Sequence, residues 1–109
     1  MDIPLPPPVA LYFTSENAHD PSAIERCFAA DAIVCDEGKT IKGTAAIKSW
    51  RVETTQKYDH TVEPLAVSRR DGKVVVTVKV SGAFPGSPIR LEHIFAIEGD
   101  RISSLEIRP

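Results

Sequence analysis

The chain has 109 residues, 42% hydrophobic and 26% charged, with a formal net charge of -2 at pH 7. This is enough for one domain with one core, and neither a basic stripe nor a block of like charge points to nucleic acid. No apolar run reaches the length of a membrane span. The opening MDIPLPPP lacks the basic and apolar regions of a signal peptide, so the cytoplasm is the expected compartment.

Residues 1–8 are proline-rich and read as a short extended leader, with a single domain over 9–109. A first helix begins near Pro8 and ends near His19. Leu11 and Tyr12 share one side of it, and Ala10 and Phe13 broaden its apolar face. Asp20-Pro21 restarts the chain as an N-cap followed by proline, which predicts a second helix over Pro21–Phe28 burying Ile24, Cys27 and Phe28. A strand over Asp31–Asp36 follows. It carries Ala32, Ile33, Val34 and Cys35 and ends on Asp36-Glu37 before Gly38. A strand that ends in an acid beside a turn can place that acid at the mouth of a cavity. Thr40–Lys42 reads as a short pairing strand. Gly43-Thr44 opens a third helix that brings Ile47 and Trp50 to one face and runs to about Lys57.

From Tyr58 onward the period changes to two. A strand over His60–Arg69 alternates imperfectly around Pro64, and Asp71-Gly72 marks a hairpin. Val74, Val76, Val78 and Val80 then alternate with Val75, Thr77, Lys79 and Ser81. Gly82–Pro88 is a loop. Ile89, Leu91, His93, Phe95 and Ile97 share one face of the next strand, and Arg90, Glu92, Ile94 and Ala96 the other. Gly99-Asp100 turns into a last strand over Arg101–Arg108. Helices first and antiparallel strands second give an α+β class, with three N-terminal helices packed on one face of a strongly curved antiparallel sheet.

The two cysteines, Cys27 and Cys35, stand in apolar company and read as buried free thiols. The three scattered histidines and two cysteines do not make a metal site. The sequence has no nucleotide fingerprint, P-loop or serine elbow either, so no cofactor is expected.

The order of Tyr12 and Phe13, Asn17-Ala18-His19-Asp20-Pro21, Phe28-Ala29-Ala30-Asp31-Ala32, Gly43 with Ala46-Ile47 and Trp50, His93-Ile94-Phe95 and Glu98-Gly99-Asp100-Arg101-Ile102 resembles the SnoaL-like branch of the nuclear transport factor 2-like superfamily, which includes the ketosteroid isomerases. The resemblance runs from about Val9 to Ile107. It implies a cone-shaped sheet around an apolar pocket and a homodimer formed through the outer sheet face, with Val75, Thr77 and Ile94 exposed there. By position it matches Tyr12 to the isomerase tyrosine and Asp36 to the isomerase base. The late-strand acid falls on Glu92 or His93, and His93 is preferred because it shares the apolar face.

The roles implied are Asp36 as base, Tyr12 as oxyanion donor and His93 as second donor or proton carrier. Trp50, Phe28, Phe95, Leu91 and Tyr58 are the expected pocket walls, and Tyr58 and His60 its rim. Structural readings stand beside these: Asp36 as a turn residue, Tyr12 as a core aromatic, His93 as a satisfied core histidine. The function expected is an isomerase, dehydratase or cyclase acting on a small apolar carbonyl compound. The alternative is a non-catalytic ligand-binding or protein-interaction module of the same fold.

Overall fold

The computed structural model describes residues 4–109, so the first three residues of the expected leader lie outside the described residues. Helix α1 spans Pro7–Asn17, with proline in its first turn, and already buries Pro8 and Val9. Its end is fastened to the sheet by one side chain. Asn17 donates to the Val62 carbonyl (2.8 Å) and accepts from the Val62 N–H (2.7 Å).

The expected second helix is shorter and split. A 3-10 turn, Pro21–Ala23, is capped by the Asp20 carboxylate accepting from Ser22 N–H, and runs into α2, Ile24–Cys27. Phe28 is already extended and opens β1, Phe28–Asp36, so this strand starts three residues before Asp31. After the turn at Glu37-Gly38 come β2, Lys39–Lys42, and α3, Thr44–Tyr58. Gly43, at φ +86, is the N-cap residue of α3, a backbone region that glycine enters without a Cβ penalty. The remaining strands are β3 (Thr61–Arg70), β4 (Lys73–Ser81), β5 (Ile89–Glu98) and β6 (Arg101–Arg108).

The six strands form one curled, unclosed sheet in the order β2-β1-β6-β5-β4-β3. Its pairings are antiparallel except that β1 lies parallel to β6, so the sheet is mixed. The helices pack on its inner face around a core that includes Val9, Tyr12, Phe13, Ile24, Phe28, Val34, Ile47, Val76, Phe95 and Leu105. Tyr12 stands at the centre of an aromatic cluster, with ring centroids 5.2 Å from Phe13, 5.8 Å from Phe28 and 5.5 Å from Phe95, all edge-on.

Two surface expectations are corrected. Val75 and Ile94 are buried within the single chain, because they are directly opposed on neighbouring strands and flanked by Ser68 and Glu106 in the same row. Cys35 is exposed and only Cys27 is a buried thiol. Cys35 alternates with the core residue Val34 on β1, so strand parity turns it away from the core. Among the described residues no helix is long and apolar enough to cross a membrane.

Candidate functional site

Strand register divides the inner face of the sheet into a closed part and an open part. One row across β1, β6, β5 and β4 is Val34, Leu105, Phe95 and Val74, every member of it buried. The next row on the same face is Asp36, Ile107, His93 and Val76. Beyond it, Leu91 and Ile89 continue along β5. The helices cover the first row. From the second row outward a cavity of about 300 Å³ opens, with Asp36, Ile107, His93, Leu91 and Ile89 along its sheet wall.

Helix α3 supplies the opposite wall. Trp50, Thr54 and Tyr58 recur at a spacing of four residues and therefore line one helix face. Phe84 and Pro85 close the remaining side from the 82–88 loop. That loop is held to the end of α3 by Ala83 N–H donating to the Tyr58 carbonyl (2.7 Å) and by an edge-on Tyr58–Phe84 contact at 5.8 Å. Gly82 is needed for this approach. A Cβ there would meet the Tyr58 carbonyl oxygen at 2.8 Å and the His60 backbone and side chain at 3.0 Å.

Asp36 is half-buried at the end of β1 and accepts a hydrogen bond from Trp50 Nε1–H (3.1 Å). Burial pushes its carboxyl above the ordinary aspartate value. The Trp50 N–H opposes this, and the carboxylates of Glu37 and Glu16 add to it. Asp36 and His93 lie on the same row two strands apart, which sets their backbones roughly 10 Å apart, with Ile107 between them.

A second acid stands on α1. Glu16 is 6% exposed and lines the cavity. His60 Nε2–H donates to its Oε2 at 2.6 Å, whereas Oε1 has no hydrogen-bond partner among the described residues. Burial raises the Glu16 carboxyl, but the His60 hydrogen bond and the Arg51 charge, with lesser help from the neighbouring imidazoles, outweigh it, so the net direction is downward and Glu16 stays ionised. Arg51 sits behind the wall. It is 1% exposed, its guanidinium lies 4.8 Å from the Tyr12 ring centroid, and Nη1–H donates to Ser15 Oγ (3.2 Å). His93 is 2% exposed, and burial lowers its pKa to about 4. Glu16 opposes that shift, while His60 and Arg51 add to it, so the ring is neutral at pH 7.

The structure brings Asp36, His93, Trp50, Tyr58 and Leu91 to one cavity. It does not bring Phe28 or Phe95 there. Both lie in the covered core, Phe95 because it belongs to the closed row and Phe28 because it sits at the far end of β1 beside Ile102. Tyr12 is also off the cavity wall. Its hydroxyl is buried, with no hydrogen-bond partner of good geometry among the described residues, and its ring is packed among Phe13, Phe28 and Phe95. Glu92 takes the outer face and pairs with Arg70 at 3.1 Å, leaving His93 to face inward.

Sequence reasoning missed Glu16 and Arg51, and it named His60 only as rim. The signal for Glu16 was its position four residues after Tyr12, on the same face of α1. The signal for Arg51 was weaker, a lone arginine next to Trp50 on a helix with few apolar residues. Among the described residues no group of three His, Cys, Asp or Glu side chains is arranged to hold a metal ion.

A mixed, curled sheet with three helices on its inner face and a cavity carrying carboxylates and imidazoles defines a small-molecule-binding domain of the nuclear transport factor 2-like fold. The chain belongs to the SnoaL-like domain family, whose model matches residues 9–105. It is similar to a candidate polyketide cyclase from Sinorhizobium meliloti, with 40% identity, a TM-score of 0.91 and 95% of each chain covered. A protein with a ketosteroid isomerase-like fold from Catenulispora acidiphila, in complex with trimethylamine, superimposes with a TM-score of 0.83 at 21% identity, covering 97% of this chain and 87% of that one. A candidate polyketide cyclase from Xanthomonas campestris gives a TM-score of 0.78 at 19% identity, covering 93% and 86%. No curated protein has a significant match to the chain.

Proposed function

We propose that this domain is a cofactor-independent enzyme that moves protons on a small, largely apolar carbonyl compound, as an isomerase, dehydratase or cyclase. The observation that carries the reading is Asp36, a half-buried carboxylate with a raised pKa, held by Trp50 at the edge of an apolar cavity. Desolvation makes such a carboxylate a stronger base toward a C–H proton.

In this reading Asp36 takes the proton. Neutral His93, across the row, donates an N–H to the developing oxyanion, the part a neutral imidazole can play without giving up its proton. The Glu16–His60 pair, which lines the same cavity, returns or relays a proton. Tyr12 was the oxyanion donor implied by family resemblance; its buried, off-wall hydroxyl makes His93 the better supported donor. The Sinorhizobium relative, at 40% identity over nearly the whole chain, supports cyclisation among the three reaction types.

Binding of a substituted phenol, an enolate mimic, tests the reading. Trp50 is the only tryptophan, so its fluorescence reports on the cavity directly. Asp36→Asn resembles the protonated acid that would face an enolate, and it is expected to bind the phenol more tightly than wild type. His93→Ala is expected to bind it more weakly. Binding indifferent to both changes would remove the acid/base mechanism and leave a non-catalytic ligand-binding domain.

A further inference from the structure

The cavity has a one-sided charge and hydrogen-bonding character that acid/base chemistry alone does not require. Among the described residues three carboxylates line it, Glu16, Asp36 and Glu37, and no lysine or arginine does. Arg51 offsets part of this from behind the wall, where its guanidinium lies over the Tyr12 ring and donates from Nη1 to Ser15, with Nη2 left without a partner among the described residues. The indole N–H of Trp50 is already spent on Asp36. Glu16, nine-tenths buried, keeps one carboxylate oxygen without a partner, a costly arrangement for an ionised group. Three aromatic rings, Trp50, Tyr58 and Phe84, complete the walls. Negative charge, an unpartnered carboxylate oxygen and aromatic faces together favour a ligand that is positively charged and carries N–H groups.

We propose that the cavity takes a small apolar molecule bearing a protonated amine, whose ammonium sits against the Glu16 and Asp36 carboxylates while its apolar body lies among Trp50, Tyr58, Phe84 and Leu91. This rests on the reading of the cavity as a small-molecule site and names the class of molecule that it selects. An anionic ligand would meet like charge, and a neutral one would leave that charge uncompensated. The rigid walls and the loop tied to α3 favour a compact body, a single ring rather than a long chain.

Three probes of nearly equal shape separate the possibilities: benzylammonium, benzyl alcohol and benzoate, titrated against the intact protein with Trp50 fluorescence as readout. Benzylammonium is expected to bind roughly tenfold more tightly than benzyl alcohol, the size of gain that a carboxylate and one or two aromatic faces give a cation. Benzoate is expected to bind most weakly. Asp36→Asn and Glu16→Gln should each weaken benzylammonium severalfold more than they weaken benzyl alcohol. Asp36, at the cavity edge, keeps the test decisive should the buried Glu16 variant fail to fold. Equal binding of the amine and the alcohol, or tighter binding of benzoate, overturns the amine assignment while the small-molecule site stands. Absence of binding by all three overturns the assignment and the site together.

Discussion

His93 makes stability depend on pH in a window that can be calculated. Its imidazole is 2% exposed with a pKa of about 4, against 6.5 for an ordinary histidine. Between these values the unfolded chain binds a proton that the folded chain refuses, so stability rises with pH across the window and is lost as pH falls from 6.5 toward 4. The gap of about 2.5 pH units, at about 1.4 kcal/mol per unit, comes to about 3.5 kcal/mol in full, of which about 3 is lost by pH 4, a large share of the margin of a domain this size. Glu16 contributes loss of the same sign at lower pH, because its depressed carboxyl stabilises above the ordinary carboxylate value and stops doing so as pH falls through the folded one. Asp36, raised, contributes with the opposite sign. Comparison with His93→Gln isolates the histidine. Urea unfolding followed by Trp50 fluorescence at pH 7 and pH 4 is expected to show the stability advantage of wild type over the variant shrinking by about 3 kcal/mol on acidification. Parallel loss of stability in the two proteins would refute the burial of a neutral imidazole as its cause.

Three further outcomes follow from the geometry. Tyr12→Phe removes a buried hydroxyl that has no partner, so thermal unfolding is expected to show unchanged or slightly higher stability, and turnover should stay within a factor of about three, whereas loss of an oxyanion donor would cost about 100-fold or more. Asn17→Ala breaks both hydrogen bonds between α1 and Val62, and chemical denaturation should register a loss of about 1–2 kcal/mol. Gly82→Ala forces its Cβ against the Tyr58 carbonyl and His60, so it should lower the melting temperature and move the His60 ring resonances in NMR spectra.

The legible part of this molecule was the part governed by periodicity and turn chemistry. The alternating valines of β4, the Asp-Gly hairpin before them and the proline restart after Asp20 each fix local structure by themselves, and each has its counterpart in the structure. Asp36 at a strand end and His93 on the apolar face of β5 follow from strand parity in the same way. What parity could not supply was depth. Phe95 and Leu91 share a face four residues apart, yet one is under the helices and the other in the cavity, because depth is set by where α1 ends and α3 begins across the sheet. Tyr12 lies under the helices and off the cavity wall for the same reason. The Glu16–His60 pair spans 44 positions in sequence, and neither residue announces the other.

The account stands most directly on Asp36 removing a proton from carbon. The measurement is exchange of α-hydrogens for solvent deuterium, followed by NMR, in a panel of small ring ketones with and without a side-chain amine. Protein-dependent exchange is expected to rise with pH through an apparent pKa above the ordinary carboxylate range and to fall by at least about 100-fold in Asp36→Asn. Exchange that proceeds equally in wild type and Asp36→Asn, or in neither across the whole panel, would contradict it.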